Sequence, residues 1–106
     1  MGERVPNGQG VKITIEFLGF PTIYDLFPEG SHGFALPGDR IPQIVEELIA
    51  RYGLRVRESL FEHGTKCLDP AIQVLVNGKL IPPEQIHEWK IREGDRVTFM
   101  KLLAGG

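Results

Sequence analysis

The chain has 106 residues, 42% hydrophobic and 25% charged, with 12 Lys and Arg against 14 Asp and Glu for a formal net charge of -2. That length fits one domain around a single modest core, which argues against a self-contained enzyme with a deep two-domain cleft. The near balance of charge excludes a broad electrostatic grip on nucleic acid or on an anionic membrane. Apolar runs such as Val74 to Val76 are far too short to span a bilayer.

Residues 1–10, MGERVPNGQG, are rich in glycine and lack any hydrophobic rhythm, so they read as a flexible N-terminal arm ahead of a domain over 11–106. They also lack the apolar centre of a secretory signal. The Gly8-Gln9-Gly10 triplet precedes a strand, whereas a dinucleotide-binding fingerprint follows one and opens a helix. Cys67 is the only cysteine, so no disulfide can form within the chain, and a cytoplasmic protein is the simplest expectation.

From Val11 the pattern alternates. Val11, Ile13, Ile15 and Phe17 share one face of a strand, and Lys12, Thr14 and Glu16 share the other. Residues 18–31 are punctuated by Gly19, Pro21, Pro28 and Gly30, which predicts an irregular connection with a short turn near Ile23 to Phe27. Phe34 and Leu36 alternate with Gly33 and Ala35 as a brief second strand, stopped by Pro37-Gly38.

A helix is the clearest element. Ile41, Ile44, Val45, Leu48, Ile49 and Tyr52 form one continuous apolar stripe, with Glu46 and Glu47 off it. Asp39 is the expected N-terminal cap, Pro42 is tolerated in the first turn and Gly53 ends the helix. Residues 54–71 are charged and mixed, with Leu54, Val56, Leu60 and Phe61 as expected satellites of the core.

A hairpin follows. Ile72 to Val76 and Lys79 to Ile81 flank Asn77-Gly78, the pair that favours the tight turn hairpins need, and Pro82-Pro83 closes the second arm. Residues 84–92 read as a loop with one helical turn, in which Trp89 and Ile91 cover one end of the core. Glu93-Gly94-Asp95-Arg96 is a turn leading into a last strand, where Val97 and Phe99 face one way and Thr98 and Met100 the other. The sequence then reads Leu102-Leu103-Ala104-Gly105-Gly106. Strand, strand, helix, hairpin, strand, with one apolar stripe on the helix, predicts a two-layer α+β sandwich.

The terminal Gly-Gly is a physical device. Without a Cβ, the two residues can enter a channel that side chains would block, while a partner grips the backbone and reaches the carboxylate. The element order, the Asn77-Gly78 hairpin, the Glu93-Gly94-Asp95-Arg96-Val97 lead-in and the Ala104-Gly105-Gly106 end together resemble the MoaD/ThiS family, the ubiquitin-like sulfur carriers of molybdopterin and thiamine biosynthesis. The resemblance covers about residues 11–106.

It implies a β-grasp fold, a mixed sheet of four to five strands packed on one helix, with the first and last strands parallel in the middle. It also implies the chemistry: a ubiquitin-activating-like enzyme uses ATP to adenylate Gly106, and a sulfur donor converts it to a thiocarboxylate. Gly105 and Ala104 would thread the tail, and the sulfur would pass to an acceptor such as a molybdopterin-synthase large subunit. The chain itself would be no enzyme and would bind no cofactor. It has no G-x-x-x-x-G-K-[ST] loop to hold ATP, which fits activation by a partner.

Lys101-Leu102 stand where the molybdopterin branch often has two prolines, whereas the long 54–71 region resembles that branch more than the thiamine one. In the implied sheet Leu75 and Met100 project away from the helix and, with Leu102, form a candidate patch for docking a partner. The nearest rival reading is a ubiquitin-like modifier joined to lysines through Gly106, and a third is an interaction module with an inert tail.

Other residues point less clearly to chemistry. Cys67, with His63 four residues before it, fits a small buried or half-buried filler better than a nucleophile and its base. His32, His63 and His87 have no recognised metal spacing. Arg51 suits the C-terminus of the helix, and Arg55 and Arg57 suit a solvated edge with no aromatic platform for RNA.

Overall fold

The computed structural model describes residues 11–27, 31–65 and 67–101. The expected arm over 1–10 and the tail residues Leu102, Ala104, Gly105 and Gly106 lie outside the described residues. Strands β1 (Val11–Leu18), β2 (Ser31–Leu36), β3 (Ile72–Val76), β4 (Lys79–Leu80) and β5 (Arg96–Lys101) form one sheet in the order β2-β1-β5-β3-β4. β1 and β5 run parallel, and every other neighbouring pair is antiparallel.

The alternation of β1 does its work directly. Ile13, Ile15 and Phe17 are buried, and they share their face with Val97 and Phe99 of β5 and with Ile72, Val74 and Val76 of β3. Helix α1 (Ile41–Tyr52) belongs to the same core through Ile41, Ile44, Val45 and Leu48. Phe17 anchors an aromatic group, with ring centroids 5.4 Å from Phe20, 4.7 Å from Phe27 and 5.4 Å from Phe99.

The apolar stripe of α1 is narrower than its spacing suggests. Ile49 is half-buried and Tyr52 is 41% exposed, its ring edge-on to Phe27 at 4.8 Å. The cap also differs from expectation. Asp39 does not cap the helix; instead the backbone N–H groups of Asp39 and Arg40 both donate to Gln43 Oε1, each at 2.9 Å. Gly38 makes this possible, because a Cβ there would lie 2.3 Å from the Gln43 side chain. The Asp39 carboxylate turns to Arg40 at 3.1 Å and Lys90 at 3.9 Å.

Residues 54–60 form a second helix, α2 (Leu54–Leu60), that the sequence pattern did not predict. Gly53, with φ +85°, ends α1 and turns the chain into α2 in a left-handed conformation that L side chains rarely adopt. Val56 and Leu60 are buried as expected and Phe61 is half-buried, but Leu54 is 64% exposed. Ser59, also buried, shares a hydrogen bond of 2.7 Å with the Thr22 hydroxyl, tying α2 to the 3-10 turn at Pro21–Ile23.

The hairpin has the expected register, with Val76 opposite Lys79 and Leu75 opposite Leu80. Asn77 (φ +54°) and Gly78 (φ +83°) are both left-handed, as the tight two-residue turn demands. The turn is tied to the lead-in of β5: Asn77 Nδ2 donates to Asp95 Oδ1, and Asn77 Oδ1 accepts the Arg96 N–H, each at 2.9 Å. After a 3-10 turn at Pro83–Gln85, Ile91 is buried and Trp89 is half-buried against the core.

Candidate functional site

The sheet carries its tail from a central strand. β5 lies between β1 and β3 and ends at Lys101, where the described chain stops. The end of β1 and the start of β3 flank this exit, with Leu18 beside Met100 and Ile72 opposite Lys101. Gly19 (φ +85°) brings the backbone so close that an added Cβ would sit 2.4 Å from the Lys101 carbonyl oxygen. On the other side Lys101 Nζ lies 3.4 Å from Asp69 Oδ2.

Asp69 is well anchored. Its Oδ1 accepts the Ala71 N–H at 2.8 Å, its carbonyl accepts the Ile72 N–H at 2.9 Å, and its own N–H donates to Leu60 at 2.8 Å. The Ala71 N–H, and after it the Lys101 ammonium, hold the Asp69 carboxyl below the usual carboxylate range, against the opposing effect of partial burial.

The face of the sheet away from α1 holds Leu75 and Met100, two of the three residues expected to dock a partner; the third, Leu102, lies outside the described residues. Leu75 and Met100 are both half-buried and lie on this face as diagonal neighbours, since Leu75 is opposite Thr98, two residues from Met100. Two residues not singled out in the sequence join them: Leu80, opposite Leu75 and 52% exposed, and Leu18, beside Met100 and 38% exposed. Both were readable in principle. Leu18 breaks the polar series Lys12, Thr14, Glu16, and the two-residue turn fixes Leu80 against Leu75. Between them Thr98 is buried and its hydroxyl donates to Glu16 Oε1 at 3.1 Å, so the patch has a satisfied polar centre.

A groove of about 440 Å³ lies where α1, the 61–70 segment and the β3–β4 margin meet. Ile41, Val45, Leu68, Ile81 and Ile86 are among its apolar lining, and Glu46, Cys67, Asp69 and His87 are among the polar groups that line it. Cys67 is exposed, not the buried or half-buried filler expected. No hydrogen bond joins it to His63 among the described residues; its N–H is bonded to Thr65 Oγ1 at 3.1 Å. Among the described residues no group of three or more His, Cys, Asp or Glu is placed to hold a metal, and no helix is long and apolar enough to cross a membrane.

Arg51 and Arg55 are engaged. Arg51 bonds Glu47 at 2.8 Å and the Ala35 carbonyl at 2.9 Å, with its guanidinium 4.2 Å from the Phe34 ring centroid. Arg55 pairs with Asp25 and donates to the Thr22 carbonyl at 2.8 Å, and the pair lowers the Asp25 pKa and raises that of Arg55.

A mixed sheet with parallel β1 and β5 at its middle, crossed by one long helix, makes this a ubiquitin-like β-grasp protein. A model of the ThiS family matches residues 35–106, and the chain belongs to that family. The resemblance drawn from the hairpin, the β5 lead-in and the glycine tail is thereby borne out.

Solved structures agree on the fold. The Haloferax volcanii HVO 2177 protein is 19% identical, with a TM-score of 0.73 over 98% of this chain and 94% of its own. Small archaeal modifier protein 1 from Methanosarcina acetivorans is 16% identical, with a TM-score of 0.72 over 93% of this chain and 100% of its own. A Pyrococcus furiosus protein provisionally assigned as molybdopterin converting factor subunit 1 is 21% identical, with a TM-score of 0.62 over 88% of this chain and 99% of its own. No curated protein matches the sequence at a significant level.

Proposed function

We propose that this protein is a sulfur carrier whose Gly106 is adenylated by a partner enzyme and then converted to a thiocarboxylate. The observation that carries this reading is the ThiS-family match, which runs through the last strand and onto Gly105-Gly106. A carboxylate resists nucleophiles. Its oxygen attacks the α-phosphorus of ATP, pyrophosphate leaves, and the resulting acyl adenylate has AMP as a good leaving group. A hydrosulfide supplied by the donor then attacks the carbonyl carbon, the C–S bond forms as the C–O bond to AMP breaks, and the product is the thiocarboxylate.

In this reading the chain is a substrate of its partners, holds no cofactor of its own and works in the cytoplasm. The tail threads into the activating enzyme through Gly105 and Ala104. Leu75, Met100 and Leu102, with Leu18 and Leu80, form the surface on which the activating enzyme docks. The likeness to a molybdopterin converting factor subunit favours a molybdopterin-type acceptor. The likeness to small archaeal modifier protein 1 favours a second reading, conjugation of Gly106 to lysines of other proteins.

The test is mass spectrometry after incubation with an activating enzyme of this family, ATP and a sulfur donor. The C-terminal peptide should gain the mass difference between sulfur and oxygen. Deleting Gly106, or adding one residue after it, should abolish the product without changing the fold, because a shift of one residue far exceeds the roughly 1 Å that already costs about a hundredfold. Thiolation of the extended protein without prior trimming would sink the carrier reading.

A further inference from the structure

We infer that Asp69 and Gly19 are positioning residues that fix the place and direction in which the chain leaves the sheet at Lys101, and so where Gly106 is presented to an activating enzyme. The inference rests on the function proposed above and names how its substrate is delivered.

Two independent contacts meet at the last described residue. From the β1 side, Gly19 packs its backbone against the Lys101 carbonyl, where a Cβ would stand 2.4 Å from the oxygen. From the β3 side, the Asp69 carboxylate holds the Lys101 ammonium at 3.4 Å, and the two side chains are only 26% and 30% exposed. Asp69 is itself fixed by Leu60, Ala71 and Ile72, so the carboxylate is an anchored post, not a mobile surface charge. The sheet bonds of β5 hold its backbone between β1 and β3; these two contacts add a restraint at the Lys101 carbonyl and another at its side chain.

Such restraint matters for a tail and little for a core. A single partly exposed ion pair adds little to folding. The five residues beyond Lys101 span at most ~17 Å. The place where Lys101 is held therefore sets the volume that Gly106 can reach, and a reacting carbonyl carbon tolerates a misplacement of only about 1 Å. A fixed exit also raises the effective concentration of the tip at a site engaged through the sheet face.

The experiment compares wild type with Asp69→Asn, which keeps an oxygen for the Ala71 N–H and removes the charge, and with Lys101→Gln. Pyrophosphate exchange with the activating enzyme should show kcat lowered about tenfold in each variant, with KM and the thermal midpoint close to wild type. The double variant should be no worse than either single one, because both break the same pair, and Lys101→Arg should restore kcat. Unchanged kcat, multiplicative losses, or a change in KM alone would overturn the inference.

A second readout does not need the enzyme. In Asp69→Asn the NMR order parameter of the Lys101 amide should fall from the rigid-strand value of about 0.85 toward the flexible range. A rigid Lys101 in that variant overturns the positioning role even if wild type proves not to be activated, an outcome that would instead sink the proposed function.

Discussion

One sheet presents two faces of opposite character. On the α1 side, Ile13, Ile15, Phe17, Ile72, Val74, Val76, Val97 and Phe99 are at most 5% exposed, with no polar residue in the series. On the other side, Lys12, Thr14, Glu16, Gln73 and Arg96 mingle with Leu18, Leu75, Leu80 and Met100, and the four apolar residues run from Leu18 and Met100 near the end of β5 through Leu75 to Leu80 at the β4 edge. Folding accounts for the first face completely. It does not account for the second, because half-exposed leucines there join no core and contribute little to stability. In the function proposed above, this exposed apolar run is the surface on which a partner docks.

The comparison breaks most visibly on the covered face. Leu48 is fully buried in the middle of α1. Replacing it with Ala should destabilise the domain by about 2–5 kcal/mol, a large fraction of what a small domain has. The midpoint of denaturant unfolding reads this directly. An unchanged midpoint would mean that the helix does not seal this face. A variant that remains folded should still be activated, since Leu48 touches no surface offered to a partner.

On the open face the signs reverse. Leu75→Glu with Met100→Glu should leave unfolding within about 1 kcal/mol of wild type. The same pair should raise KM for activation by about tenfold, equivalent to about 1.4 kcal/mol of docking energy. Normal activation of the double variant would remove Leu75 and Met100 from the docking surface and leave the two faces distinguished only by solvent.

The contrast between the faces was largely legible in the sequence, for a simple reason: a strand has period two, so an alternating pattern names both faces at once. Leu75 and Met100 could therefore be placed on the open side from their neighbours alone. Helix α2 could not be read this way. Seven residues span barely two turns, its buried positions are Val56, Ser59 and Leu60, and one of these is polar. Its existence depends on tertiary partners, the Thr22 hydroxyl for Ser59 and the shared core for Val56 and Leu60.

The cap of α1 misled for a related reason. Asp39 has the right chemistry for an N-cap, but Gln43 folds back beside Gly38 and its Oε1 accepts the N–H groups of Asp39 and Arg40 just ahead of the helix. Part of the candidate site was equally out of sequence reach. That Gly19 and Asp69 converge on Lys101 follows from the parallel β1–β5 pairing and from the fold of residues 61–71, neither of which shows as a periodicity.

The smallest effect belongs to the margin between the faces, where Asp69 meets Lys101. Its carboxyl is held below the ordinary value of 3.8 in the folded protein, first by the Ala71 N–H and then by Lys101. The folded state therefore binds its proton less readily than the unfolded chain. The stabilisation is complete above that unfolded value and is lost as pH falls through the lower folded one. After screening at a partly exposed site it amounts to about 0.5 kcal/mol. The sharp measurement is the difference in unfolding free energy between wild type and Asp69→Asn, taken at neutral pH and again well below pH 3.8. Asp25, the other depressed carboxyl, pairs with Arg55 in both proteins and cancels from that difference. The gap should close at acid pH. A gap that stays constant would mean that the asparagine acts through shape and not charge, and that the Lys101 ammonium is not what Asp69 holds.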